Sequence, residues 1–192
     1  MKKTLLLKTA LAVGLANPLI ASAESQLTLA GPATARLDFR VIIPRVLFLA
    51  VGTGAAGLAT NGTIDTVTFD YTSNPAALGT GAAAGAITGE VVPVRVLGNN
   101  GVIALASTNT GALTNAVGDT IPWSQITATS SDETNFASPA PTGASVNLGI
   151  SSGTKVTSRT ASWTFAYANS ELFPPGTYGT TNGQVTYTAT MP

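Results

Sequence analysis

The run Leu27-Thr28-Leu29-Ala30-Gly31-Pro32-Ala33-Thr34-Ala35-Arg36-Leu37-Asp38-Phe39-Arg40-Val41-Ile42-Ile43 alternates along most of its length. Its odd positions are all apolar or small, and its even positions include Thr28, Thr34, Arg36, Asp38 and Arg40. Successive side chains of a strand point to opposite sides. The period therefore predicts an extended segment with Leu27, Leu29, Gly31, Ala33, Ala35, Leu37, Phe39, Val41 and Ile43 on one buried face. Pro32 and Pro44 lack the amide proton that a central strand donates, and they divide the run. After Pro44, Val46-Leu47-Phe48-Leu49-Ala50-Val51 is apolar throughout, which predicts a strand buried on both faces.

The same period recurs along the chain. Thr63 to Tyr71 sets Val67, Phe69 and Tyr71 against Thr66, Thr68 and Asp70; Glu90 to Leu97 sets Val92, Val94 and Val96 on one face, with Pro93 arguing against a central position. Gly101 to Ala106, Trp123 to Thr129 and Ala144 to Ile150 are shorter candidates. Thr154 to Tyr167 aligns Ala161, Trp163, Phe165 and Tyr167, which reads as a core face in preference to a sugar-stacking platform. Trp123 is likewise expected to be packed. The last run, Gln184 to Met191, points Val185, Tyr187, Ala189 and Met191 one way. Asn61-Gly62, Asn99-Asn100-Gly101, Pro174-Pro175-Gly176 and Asn182-Gly183 supply turns between runs. Gly79 to Gly89 is nearly all glycine and alanine and predicts a flexible loop; Ser130 to Pro141 predicts a second loop. No window sustains a helical apolar pattern. Seven to nine short strands at this spacing predict an all-β, immunoglobulin-like antiparallel sandwich.

The N-terminus reads as an export signal. Lys2, Lys3 and Lys8 precede an apolar stretch from Thr9 to Ile20, and Ala21-Ser22-Ala23 forms a small-residue cleavage site. Residues 1–23 are therefore expected to be removed, leaving an N-terminal extension over 24–43 and a sandwich domain over 44–192. Without Lys2, Lys3 and Lys8, six of the nine basic residues remain against nine acids, a balance of −3. Six scattered cations do not make the concentrated basic face that nucleic acid requires.

Composition also bounds the chemistry. The chain has no His and no Cys, which removes the usual parts of nucleophilic triads, thiol catalysis and zinc sites. No catalytic residue, metal site or cofactor is expected. The carboxylate pairs a glycan-acting enzyme would need are Asp65 with Asp70 and Asp132 with Glu133. The first pair has opposite strand parity, and the second lies in a Ser/Thr-rich stretch. Arg36, Asp38 and Arg40 read as a solvated strand face.

A long alternating strand just after a leader, followed by proline, suits a segment that completes the sheet of a neighbouring copy by strand addition. Two stretches carry a resemblance. One is Ile43-Pro44-Arg45-Val46-Leu47 after the alternating run. The other is Pro175-Gly176-Thr177-Tyr178-Gly179 followed by Gly183-Gln184-Val185-Thr186-Tyr187-Thr188-Ala189. In these and in layout the chain resembles the fimbrial major subunits (pilins) of chaperone–usher systems, and its lack of cysteine resembles the alternate-chaperone, α-type group. Many pilins place a glycine fourteen residues from the terminus, where Gly179 stands. The terminal Met191-Pro192 departs from the penultimate aromatic common in that family.

The resemblance implies a non-enzymatic homopolymer on the cell surface, serving adhesion or biofilm formation and assembled with a periplasmic chaperone and an outer-membrane usher. Leu27, Leu29, Gly31, Ala33, Ala35, Leu37 and Phe39 would then be the donor residues. Gly179, Val185, Tyr187 and Ala189 would border the acceptor groove and chaperone contact. The alternative from the same residues is an intact sandwich acting as a monomeric secreted adhesin or matrix protein. An eight-stranded outer-membrane barrel would need aromatic girdles, whereas the aromatics here lie mid-strand.

Overall fold

A computed structural model describes residues 24–54 and 57–192. The expected leader lies outside the described residues. The chain divides between Ile43 and Pro44 into two units.

In the described part of the first unit, 24–43, the alternating run forms no strand. A strand is held by bonds to a neighbour, and here the local bonds come from side chains instead. Gly31 turns the chain with φ of +91°, and Thr28 Oγ1 donates to its carbonyl at 2.9 Å. Gln26 Oε1 accepts from Thr34 N (3.0 Å) and Thr34 Oγ1 (3.1 Å). Glu24 accepts from Arg36 N at 3.2 Å and pairs with its guanidinium at 2.9 Å, the one salt bridge among the described residues. The expected buried face is exposed: Leu29 and Phe39 keep 102% and 87% of their reference area, and Leu27, Leu37, Val41 and Ile43 are also open.

The second unit is all-β and antiparallel throughout. Its strands are β1 (Leu47–Val51), β2 (Thr68–Asp70), β3 (Ala86–Thr88), β4 (Val91–Gly98), β5 (Ile103–Asn109), β6 (Leu113–Thr114), β7 (Thr120–Ile121), β8 (Ile126–Ser130), β9 (Ser145–Leu148), β10 (Thr157–Tyr167) and β11 (Val185–Thr190). One main sheet has the order β1-β4-β10-β8 and the other β11-β5-β9, with β2-β3 and β6-β7 as small hairpins. The core is built from alternate residues of both: Val92, Val94 and Val96 of β4, Ile103 and Leu105 of β5, Leu148 of β9 and Trp163 of β10, joined by Phe136. Trp163 and Phe136 are fully buried and meet edge to face at 5.7 Å.

The chain crosses between the sheets at Asn99-Asn100-Gly101, and Gly98 makes the crossing possible. A Cβ there would stand 2.9 Å from Ile103 Cδ1 and 3.0 Å from Met191 Sδ. In immunoglobulin lettering, β1, β4, β10 and β8 take the places A-B-E-D, and β5 and β11 take C and F. β9 adds a strand on the far side of β5. No strand among the described residues occupies the place of G beside β11.

Three readings change with the fold, and a fourth, the loop after β8, gains a role. Val46 to Val51 is not buried on both faces, because β1 is an edge strand: Leu47 remains 38% exposed and its neighbours half-buried. Pro93 does lie in a central strand. Gly52 N donates to Pro93 O at 2.9 Å, so the nitrogen of Pro93 faces β1 just where that ladder ends, and little pairing is lost. The alanine–glycine stretch is pinned rather than loose. Buried Asn169, held at φ of +51°, donates to the carbonyls of Ala77 (2.6 Å) and Ala82 (2.9 Å) and accepts from Gly79 N (2.8 Å). The loop after β8 is a plug: Ser130 Oγ and Asp132 O bond the backbone of Phe136 at 2.7 and 2.8 Å and hold its ring in the core.

Candidate functional site

The two outermost strands facing the G position differ from the strands they flank. Ser107 N donates to Ala144 O at 2.9 Å, so the odd residues of β5 bond toward β9 and the even ones toward β11. With Thr108 opposite Thr186 and Ala106 opposite Thr188, the even residues of β11 are consumed by β5. The N–H and C=O groups of Val185, Tyr187 and Ala189 therefore point outward, along an edge with no partner strand among the described residues. β1 repeats the pattern. Its even residues bond to β4, as the bonds from Gly52 N to Pro93 O and from Asn99 N to Val46 O (3.3 Å) require, which leaves Leu47, Leu49 and Val51 facing out.

The side chains of those same residues turn toward the core without being fully covered. Leu49, Val51, Tyr187, Ala189 and Met191 are half-buried and pack on the core cluster. On central β4, in contrast, Val94 and Val96 are 3% and 0% exposed. Arg45 Nη2 donates to Met191 O at 2.6 Å, joining the start of β1 to the end of β11. Beside β1 lies a hollow of about 340 Å³, bordered by Leu47, Leu49, Leu58 and Asn61. This rim combines unpaired backbone with partly covered apolar surface, the two features that strand addition uses.

Tyr187 is the largest side chain on the rim. Its ring lies 5.0 Å from that of Trp163, and its hydroxyl is buried with no hydrogen-bond partner among the described residues. Burial pushes the phenol up to about 12. Val185, Tyr187 and Ala189 thus share one edge and one face. Gly179 does not join them: it sits in the loop before β11, where its N donates to Thr114 O at 3.2 Å, and a Cβ on it would meet Gly183 and Leu113. Gly183 is the tighter position, since a Cβ there would stand 2.2 Å from Gly179 O.

Each of the four carboxylates accepts hydrogen bonds from nearby backbone or side chains. Asp65 accepts from Thr53 N (2.6 Å) and Oγ1 (3.0 Å). Asp70 accepts from Thr72 Oγ1 (2.6 Å) and N (2.8 Å), bonds that hold its carboxyl below the ordinary value. Asp132 accepts from Asn135 N at 3.1 Å, and Glu133 accepts from Ser130 N. Among the described residues no three acidic side chains gather into a metal-binding group. Trp163 belongs to the core, and half-buried Trp123 donates its Nε1–H to Gly111 O at 2.7 Å. Tyr167 instead meets Tyr71 at 6.0 Å and Phe69 at 6.2 Å in a half-buried cluster.

Two important residues have little signature in sequence. Asn169 follows β10 in Ala168-Asn169-Ser170, and only its left-handed conformation, which asparagine tolerates, hints at a special role. Phe136 stands alone among polar neighbours. No protein-family model matches the chain, and no curated protein and no solved structure matches it either.

Proposed function

We propose that the chain is a structural subunit of an exported surface fibre, polymerised by donor-strand exchange and serving adhesion or biofilm formation. One observation carries the reading: among the described residues, an alternating apolar segment has no strand partner and a strand edge has no partner strand. The segment exposes Leu27, Leu29, Leu37 and Phe39. The edge presents the outward backbone of Val185, Tyr187 and Ala189 above a half-covered core. Exposing both in one chain is an aggregation hazard unless each is filled, and in a fibre one neighbouring copy fills the edge while another takes up the segment. The resemblance to chaperone–usher pilins points the same way and adds a periplasmic chaperone to guard the edge and an outer-membrane usher to exchange it.

Deletion of Glu24 to Ala35 tests the reading. The shortened chain is expected to remain soluble, chaperone-bound or capped, and to form no fibres in electron micrographs. Fibres from the shortened chain would falsify it. A single compact monomer from the full chain, stable on size exclusion without a chaperone, favours the monomeric adhesin instead.

A further inference from the structure

The geometry points to one register for the exchange: the segment of a second copy lies antiparallel on the free edge of β11 with Ala33 opposite Tyr187, and Tyr187 selects it. This rests on the donor-strand reading above and adds which residues meet.

The backbone supplies the first constraint. Val185, Tyr187 and Ala189 offer their N–H and C=O groups outward, and in an antiparallel pair such residues exchange both bonds with the residue opposite. Those opposite residues must therefore have an N–H. Setting Ala33 against Tyr187 places Ala35 against Val185 and Gly31 against Ala189, all of which do. Pro32, which has none, then turns its nitrogen away from β11. A slip by one residue directs Pro32 at this edge and turns Thr34 and Arg36 toward the apolar core, so it fails twice.

Side-chain size supplies the second constraint. The odd positions of the segment read large at Leu27 and Leu29, small at Gly31, Ala33 and Ala35, and large at Leu37 and Phe39. Tyr187, its ring tilted against that of Trp163, fills the middle of the rim, and neighbouring side chains on one face of paired strands stand only about 5 Å apart. The three-residue small block spans the outward residues of β11. Leu37 then falls level with Gly183, before the start of β11, and Leu29 level with Met191, past its end. A slip by two brings a leucine beside Val185 or Ala189 and packs it against Tyr187. On the solvent face, the same register sets Thr34 against Thr186.

The absence of cysteine allows a clean test in the full chain. Thr34 and Thr186 form a non-hydrogen-bonded pair in this register, with Cα atoms about 4.5 Å apart, within reach of a disulfide. Fibres carrying Thr34→Cys and Thr186→Cys are expected to give a ladder of linked subunits on non-reducing gels. Thr34→Cys with Thr188→Cys is expected to give none. Ala33→Phe is expected to cut fibre yield about tenfold or more by overpacking, and adding Tyr187→Ala to restore it.

A ladder from the Thr188→Cys pair, or none from either pair in fibres that form, overturns the register and leaves donor-strand exchange standing. If the chain deleted over 24–35 still polymerises, or the unsubstituted chain forms no ordered polymer, both fall together.

Discussion

Leu27 to Ile43 and Thr157 to Tyr167 alternate with the same period, yet only the second is a strand. β10 lies between β4 and β8, bonds to both, and buries Trp163 completely. The N-terminal run has no strand partner among the described residues, bonds its own side chains to Thr34 and Arg36, and leaves its apolar face open. Alternation thus specifies which faces differ, while hydrogen-bonding neighbours decide whether a strand exists. Mutations should separate the two regions accordingly.

The largest effect belongs to β10. Trp163→Ala empties the centre of the core and should cost about 3–5 kcal/mol, read as a fall in the urea midpoint. A stability within experimental error of the parent would erase the distinction between the two regions. Just past the end of β10, Asn169→Ala leaves the Gly79 amide without its partner and takes one donor from each of the Ala77 and Ala82 carbonyls, which keep Thr80 and Tyr71. That should cost about 2–3 kcal/mol and speed amide exchange over residues 77–82. Unchanged exchange there would mean that the loop is held by something else.

Tyr187→Phe removes a buried hydroxyl that bonds to nothing, so stability at neutral pH should stay within about 1 kcal/mol of the parent. The variant should differ at alkaline pH. The folded phenol titrates near 12, above the ordinary 10, so the unfolded chain loses that proton first. Stability contributed by the neutral phenol is complete below pH 10 and is lost as pH rises from about 10 to 12. Denaturation midpoints taken across that window should fall less steeply for the variant, and parallel curves would contradict the assignment. The smallest effect belongs to the N-terminal run, where Leu29→Ser should leave folding stability within about 0.5 kcal/mol of the parent. A larger loss would mean that the run is already packed.

The two regions also mark how far the sequence could be read. The faces of β4, β10 and β11 followed from alternation, as did the placing of Trp163 in the core and of Val185, Tyr187 and Ala189 together. Which edge lies open did not follow, because it depends on which strands pair: β1 reads as a buried strand and proves to be a rim. Pro93 misled for the same reason, since its missing amide matters only where a neighbour would have used it. Asn169 and Phe136 act across long chain separations, Asn169 through backbone bonds about ninety residues away, and neither has a periodic pattern to announce it.

The Asn169 clamp bears on how the chain withstands proteases. Glycine- and alanine-rich surface loops are preferred sites of nicking, because a protease must draw several residues into an extended form in its cleft. With Ala77, Gly79 and Ala82 all tied to one buried amide, and Gly81 N bonded to the Asn169 carbonyl at 2.8 Å, that stretch cannot be drawn out without opening the loop first. Three of the bonds that close this loop against digestion thus come from a single side chain more than eighty residues downstream of it.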